Sequence, residues 1–158
     1  MRQQEGLVAR WQALMGHTSL PMPAHDTPPA HEDIRFEQVS FSYDGSPLLQ
    51  GMDFEVKAGT SLALVGPSGS GKTTIARLLA RFWDVDEGRI TVGGVDIRQM
   101  QPATLAAHVS FVFQEIFLFS RSVKDNIRLG KPDASDSEIV AASQAARRRF
   151  YPGLARRL

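Results

Sequence analysis

The stretch TSLALVGPSGSGKTT, residues 60–74, decides the fold of this chain. Its first part, Thr60–Val65, is apolar on both faces, as expected of a strand buried in the middle of a parallel sheet. A glycine-rich loop follows, and the helical spacing of Ile75 and Leu78 then predicts a helix over Lys72–Phe82. The order strand, glycine loop, helix indicates an α/β fold.

The loop meets the pattern G-x-x-x-x-G-K-[ST] of phosphate-binding proteins. Phosphates need several converging N–H donors, and glycines let the backbone curl into such a nest without Cβ clashes. The positive end of the helix dipole adds to the attraction. We expect the Lys72 ammonium to reach the β- and γ-phosphates of ATP and the Thr73 hydroxyl to ligate Mg²⁺. The predicted nucleotide-binding residues of this region are Gly66, Pro67, Ser68, Gly69, Ser70, Gly71, Lys72, Thr73 and Thr74.

Length and composition exclude several classes of protein. With 158 residues, of which 42% are hydrophobic and 22% charged, the chain is ordinary for one soluble globular domain. A formal net charge of +1 gives no reason to expect nucleic acid as a partner. The sequence has no cysteine, which fits a reducing compartment. Because no apolar run approaches the ~20 residues that span a bilayer, we expect this chain alone to be soluble and cytoplasmic.

Short strands are predicted on both sides of the opening stretch, and one further helix near the end. The alternation of apolar residues in Ile34–Tyr43 changes phase midway, which indicates a strand with a bulge. The other strand candidates are Met52–Val56, Arg89–Val92 and Val109–Phe113. A capping box, Ser-Asp-Ser-Glu at residues 135–138, predicts a helix that runs to Ala146.

Both ends of the chain differ from the main domain in composition. Residues 2–16 have apolar side chains at helical spacing, and residues 17–31 contain four prolines and predict an extended linker. These residues alone favour a terminal helix docked on its own core over a fragment of a neighbouring domain. Residues 147–158 are rich in arginine, and the simplest interpretation is a basic tail for an acidic partner.

Several segments around the phosphate loop resemble the ATP-binding domain of exporter-type ABC transporters. The matching segments are residues 34–43, 58–66, 82–90, 93–97, 109–114, 117–120 and 123–127. The resemblance covers residues 32–146 and implies an incomplete P-loop NTPase core with an N-terminal β-rich subdomain. It also implies that Tyr43 stacks on the adenine ring, and that Gln114 is a catalytic residue that touches Mg²⁺ and the attacking water. The structural alternatives are a rim aromatic for Tyr43 and a polar strand end for Gln114.

The same resemblance implies partners for the intact protein. Residues 1–31 resemble the junction at which the last transmembrane helix of an exporter continues through a loose linker into the ATP-binding domain. In the intact transporter two ATP-binding domains pair head-to-tail at the cytoplasmic face of the membrane and hydrolyse MgATP to drive transport. Phe117, Leu118 and Phe119 match the place where the transmembrane domain docks, although packing in a core explains these three side chains equally well.

Three parts of the family's machinery have no match in this sequence. They are the Leu-Ser-Gly-Gly-Gln signature, an apolar strand that ends in Asp-Glu, and a downstream switch histidine. Because loss of the water-polarising carboxylate nearly abolishes turnover, we expect a truncated fragment that binds ATP without hydrolysing it. Leu62–Val65 would then lack a neighbouring strand and expose apolar surface, which predicts a marginally stable, aggregation-prone domain.

A single-base frameshift near Arg147–Arg149 is our hypothesis for the basic segment. Codons for residues 149–158 can be chosen so that dropping one base encodes a peptide similar to the family's sequence at this place. The coding DNA decides between this hypothesis and a natural basic tail.

Two other functions remain open from the sequence. A soluble P-loop kinase would use the same loop to transfer phosphate to a metabolite, but no acceptor-binding motif is recognisable. A non-functional truncated product would bind nucleotide weakly or not at all. Assays of nucleotide binding and hydrolysis separate these alternatives from the truncated ATP-binding domain.

Overall fold

The computed structural model describes residues 19–113 and 117–146, and the structural statements below refer to these residues. The chain divides into two compact units, the first ending at Phe111 and the second beginning at Val112. The predicted helix over residues 2–16, the residue Gln114 and the basic segment 147–158 lie outside the described residues.

The first unit combines a small antiparallel sheet with short helices. In chain order its elements are β1 (Ile34–Ser42), β2 (Pro47–Val56), α1 (Lys72–Leu79), β3 (Glu87–Val92), β4 (Val95–Asp96), a 3-10 turn (Ile97–Gln99) and α2 (Pro102–His108). The sheet has the order β2-β1-β3-β4, and neighbouring strands are antiparallel. The second unit contains α3 (Val123–Arg128) and α4 (Asp136–Ala146).

β1 is the central strand, paired with β2 on one side and with β3 on the other. Its buried side chains change phase between Phe36 and Val39, and the register of both pairings shifts at the same place. Gln38 has a φ of 48° there, and its backbone N–H donates to the Asp53 carboxylate at 2.8 Å. The predicted bulge is therefore confirmed.

The hydrophobic core of the first unit joins the sheet to α1 and α2. Its buried members are Phe36, Val39, Phe41, Leu49, Ile75, Leu78, Ile90, Val92, Ile97, Met100 and Leu105. α1 contributes Ile75 and Leu78, as its helical spacing predicts. The helix ends at Leu79, before the predicted end at Phe82, because Arg81 adopts a left-handed φ of 54° and pairs with Asp84 at 2.9 Å.

The predicted strand Thr60–Val65 is wrong. Residues 60–65 have no strand pairing, and Leu62 and Val65 are 50% and 92% exposed. A run that is apolar on both faces forms a parallel strand only when other strands flank it, and the pairings in the described part of the chain are antiparallel pairings within the four-stranded sheet. The exposed apolar surface agrees with the expectation that this segment lacks a neighbouring strand.

The predicted strand Val109–Phe113 is also wrong. No strand pairing involves these residues, and Val112 and Phe113 are 95% and 53% exposed. As for residues 60–65, a short apolar run gives no information about whether a partner strand is present.

The N-terminal strap, residues 19–33, has neither helix nor strand, as expected of a linker, but it is anchored rather than loose. The Asp26 carboxylate accepts hydrogen bonds from the Thr104 hydroxyl and the Gln101 backbone N–H, which hold the pKa of Asp26 below its usual range. At Gly93 a Cβ would lie only 2.2 Å from the carbonyl oxygen of His31. The strap therefore lies tightly along the first unit.

The second unit confirms the predicted start of α4. The Ser135 backbone N–H donates to the Glu138 carboxylate at 2.8 Å, and the Glu138 N–H donates to the Ser135 hydroxyl at 3.3 Å. Lys131 and the Ser135 N–H and hydroxyl lower the pKa of Glu138 to about 2. This reciprocal pair is a capping box, and it fixes the first turn of the helix.

We predict that Val65→Thr and Val92→Thr affect stability very differently. Val65 is 92% exposed, so a hydroxyl there should change the free energy of unfolding by less than about 0.5 kcal/mol. Val92 is 2% exposed, and a buried hydroxyl without a partner should cost about 1–3 kcal/mol. Urea denaturation followed by circular dichroism measures both. Equal losses at the two positions would show that residues 60–65 are buried in a strand.

Candidate phosphate-binding site

The phosphate loop, residues 66–71, connects the exposed segment 60–65 to α1. Residues 66–70 are exposed and turn at Gly69, which has a φ of 83°. The Ser70 N–H donates to the carbonyl oxygen of Pro67 at 3.3 Å and closes the turn. The Ile75 N–H donates to the carbonyl oxygen of Gly71 at 2.9 Å as the first helical hydrogen bond. The loop therefore leads directly into the helix, as the sequence predicts.

Gly71 lies where only glycine fits. Its φ is 84°, in the left-handed region that L side chains rarely adopt, and a Cβ would lie 2.7 Å from the Cδ2 methyl of Leu49. Leu49 belongs to β2 and is 4% exposed, so it is held by the core. The entry into α1 is thus tied to the sheet by a contact that any larger residue would disturb.

The Lys72 ammonium lies inside the phosphate loop. Its Nζ donates to the carbonyl oxygens of Gly66 and Pro67 at 2.9 and 2.6 Å, and to the Ser70 hydroxyl at 3.3 Å. An ammonium has three donors, and these three oxygens use them. The loop therefore places a full positive charge at its centre.

The N-terminus of α1 adds further donors at the same place. The helix starts at Lys72, and no side chain of the described residues caps it. The backbone N–H groups of residues 72–74 precede the first helical hydrogen bond, so they lack intrahelical acceptors. Together with the Lys72 ammonium and the helix dipole, these groups favour an anion.

Tyr43 follows β1 and lies beside the first turn of α1. Its hydroxyl is 3.1 Å from the hydroxyl oxygen of Thr74. Its ring is nearly perpendicular to the rings of Phe41 and Trp83, with centroid distances of 4.9 and 5.1 Å. Tyr43 as a residue remains 47% exposed. A planar, half-exposed ring next to the phosphate loop is suited to stacking on a nucleotide base.

The two threonines after Lys72 differ in their surroundings. Thr73 is exposed, so its hydroxyl is accessible to a ligand. Thr74 is 6% exposed and its hydroxyl bonds to Tyr43, so the structure joins Thr74 to the predicted base-binding residue. Gln114 lies outside the described residues, and its contact with Mg²⁺ stays a prediction.

Trp83 is the residue near this site that sequence reasoning missed. In the sequence, Trp83 is only one residue of the segment 82–90, which resembles the family. Its contact with Tyr43 bridges forty positions of the chain and depends on the turn after α1, where Arg81 has a positive φ. The sequence contains no local signal for such a contact.

A second candidate surface lies in the second unit. Phe117, Leu118 and Phe119 are 78%, 69% and 53% exposed, so the structure does not support the core interpretation of these three residues. Asn126 fixes the loop that follows them: its Oδ1 accepts from the Phe119 N–H and its Nδ2 donates to the Ser122 carbonyl oxygen, both at 2.9 Å. An exposed apolar surface on a loop that is fixed by hydrogen bonds is typical of a site that binds a partner.

Comparison with known protein families identifies the chain. The family model described as ABC transporter matches residues 49–154, more than half of the sequence. The chain belongs to the ABC transporter family. Among curated ABC transporters, it is 47% identical over 114 residues to the uncharacterized ATP-binding protein YknV of Bacillus subtilis. The aligned segment covers 72% of this chain and 19% of that protein. It is 50% identical over 114 residues to human ATP-binding cassette sub-family B member 6, covering 72% of this chain and 14% of that protein.

The solved structure of a bacterial Atm1-family ABC exporter with ATP bound has the same fold. It matches with a TM-score of 0.80 and 38% identity over 90% of this chain and 26% of the exporter chain. The present chain spans 14% to 19% of the length of the two curated relatives above. These comparisons confirm the predicted family, the mixed α/β P-loop fold and the role in ATP binding. In the described residues no helix has the length and apolar character needed to cross a membrane.

We predict that Gly71→Ala destabilises the first unit more than Gly69→Ala. Both glycines are left-handed, with φ of 84° and 83°, so each alanine should cost about 1–2 kcal/mol of backbone strain. Only at Gly71 does the new Cβ meet a buried side chain, and this overpacking should add about 1 kcal/mol or more. Urea midpoints of the two variants measure the difference. Equal midpoints would contradict the contact between Gly71 and Leu49.

Proposed function

We propose that the phosphate loop binds the phosphates of MgATP and that Tyr43 stacks on the adenine ring. The position of the Lys72 ammonium supports this most directly, since it lies within 3.3 Å of three loop oxygens at the start of α1. Phosphate oxygens form stronger, charge-assisted hydrogen bonds with an ammonium than neutral carbonyl oxygens do. A bound triphosphate therefore takes over these donors, and the N–H groups of residues 72–74 complete its coordination.

Thr73 fits the proposed magnesium ion. Mg²⁺ prefers oxygen ligands and binds proteins through one or two side chains together with substrate phosphates. The exposed Thr73 hydroxyl is such an oxygen, one residue from Lys72. Thr73 and Gln114 are the protein ligands in this proposal, and the bound ion would supply positive charge that stabilises the phosphates.

For the intact transporter we propose a function that this chain shares with a second ATP-binding domain and a transmembrane domain. Two ATP-binding domains pair head-to-tail on the cytoplasmic side and hydrolyse MgATP to drive export. The support is the similarity to exporters and the exposed apolar surface of residues 117–119, which suits a docking transmembrane domain. The soluble kinase has no comparable support, because the relatives described above are ABC transporters.

We propose that this chain by itself binds ATP without hydrolysing it. Phosphoryl transfer depends on positioning and on electrostatic stabilisation of the transferred group. The sequence contains the binding residues Lys72 and Thr73 but no apolar strand that ends in Asp-Glu, and no Leu-Ser-Gly-Gly-Gln signature. Binding and turnover are therefore separable in this chain.

We predict that Lys72→Ala weakens ATP binding by about tenfold or more. Charge-assisted hydrogen bonds contribute about 1.5–3 kcal/mol each, and about 1.4 kcal/mol corresponds to a tenfold change in Kd. Isothermal titration of the full chain with MgATP measures the effect. Lys57→Ala is the matched control, because Lys57 is an exposed lysine of the same unit at the end of β2 and should leave Kd unchanged. Equal affinity of the wild type and Lys72→Ala would overturn the phosphate-loop assignment.

The proposed lack of turnover is tested on the same samples. Wild-type chain incubated with MgATP should release no phosphate above the rate measured for the Lys72→Ala variant. Release that depends on Lys72 would show that the chain hydrolyses ATP alone. Transfer of phosphate to an added nucleoside monophosphate would instead support the kinase.

A further inference from the structure

The Tyr43 ring is held from three directions. Phe41 and Trp83 lie against it edge-to-face, at interplanar angles of 85° and 86°. Its hydroxyl is fixed by the hydrogen bond with Thr74. A tyrosine has two side-chain torsions, and a hydrogen bond at one end with ring contacts along its length restricts both. Tyr43 nevertheless remains 47% exposed as a residue.

The three neighbours differ in how firmly they are themselves fixed. Phe41 is 4% exposed within the core, and Thr74 is 6% exposed on α1. Trp83 is 39% exposed and follows the turn after α1, where Phe82 lies 6.4 Å from it. Trp83 contacts Tyr43 and also lies 6.4 Å from the buried Phe41 ring. It is nevertheless the most exposed of the three neighbours of Tyr43, so a substitution there disturbs the core less than one at Phe41 or Thr74.

We propose that Trp83 is a positioning residue for the base of a bound purine nucleotide. Trp83 holds the Tyr43 ring in the plane in which it stacks on the base, and the Thr74 hydroxyl fixes the same ring relative to α1. The proposal rests on the proposed function, in which Tyr43 stacks on adenine. It extends that function to a residue that acts through Tyr43 and does not itself contact the nucleotide.

A positioning role predicts an effect that depends on the base. Preorganisation lowers the cost of ordering a side chain when a ligand binds. If Trp83 acts only through Tyr43, its loss weakens ligands that have a base and leaves ligands without a base unaffected. A residue that merely stabilises the fold would instead alter both kinds of ligand together.

The experiment compares MgATP with magnesium tripolyphosphate, which carries the phosphates but no base. Titrations of the full chain are made for wild type, Trp83→Leu and Trp83→Phe, with far-UV circular dichroism and urea midpoints as checks of folding. Trp83→Leu should weaken MgATP binding about three- to tenfold, in line with the strength of an aromatic pair, and leave tripolyphosphate binding within about twofold. Trp83→Phe should recover most of the loss, because it keeps an aromatic ring beside Tyr43.

Phe82→Leu is the matched control. Phe82 is 47% exposed and neighbours Trp83 and Phe111, so the variant removes an adjacent aromatic ring of similar exposure. MgATP and tripolyphosphate affinities should both stay at the wild-type values. An equal loss of MgATP affinity in Phe82→Leu and Trp83→Leu would overturn the proposal, because the effect would then not be specific to the ring beside Tyr43.

The outcomes separate this proposal from the proposed function. If wild type binds neither ligand, the phosphate-loop assignment fails. If wild type binds MgATP more tightly than tripolyphosphate and Trp83→Leu keeps that difference, the function stands and the positioning role of Trp83 is overturned. If Trp83→Leu weakens both ligands equally, Trp83 has a general structural role and the proposal is likewise overturned.

A spectroscopic readout follows from the same contact. The chain contains two tryptophans, and Trp11→Phe leaves Trp83 as the single indole. Stacking of a base on Tyr43 changes the surroundings of that indole, so MgATP should change its emission whereas tripolyphosphate should not. Identical emission spectra with both ligands at saturation would contradict coupling between Trp83 and the base.

Discussion

The close approach between Gly71 and Leu49 is the constraint on which the phosphate loop depends. Leu49 is fixed in the core by β2. Because Gly71 has no Cβ, α1 begins directly against this side chain, and its free N–H groups start from a defined place relative to the sheet. The same sheet leads into Tyr43 directly after β1, so one frame positions both the Tyr43 ring and the phosphate loop.

Features encoded by neighbouring residues could be predicted, and features that require a distant partner could not. The bulge in β1, the glycine loop, α1 and the capping box at Ser135 depend on residues within a few positions of one another. The segment 60–65 has the composition of a buried strand, but the composition does not supply the strands on either side. Its side chains are therefore exposed, and the sheet forms from antiparallel neighbours instead.

The same distinction between local and long-range contacts applies to the candidate site. Lys72 and its oxygen partners lie within seven consecutive residues, and the motif predicted Lys72 as a binding residue of this loop. Tyr43 came from family resemblance, because its contacts with Thr74 and Trp83 join separate elements. Trp83 could not be predicted at all, since its direction is set by the left-handed turn at Arg81. Local chemistry thus predicted the candidate anion site, whereas tertiary packing determines the surroundings of Tyr43 beside it.

The hydrogen bonds that anchor Asp26 in the N-terminal strap join residues far apart in the chain. Asp26 bonds to residues that follow it by 75 and 78 positions, and the entropy cost of closing a loop rises with its length. During synthesis the strap emerges long before α2, so the hydrogen bond from Thr104 to Asp26 forms only after that helix has been made. The strap is thus synthesised well before the residues to which Asp26 is anchored.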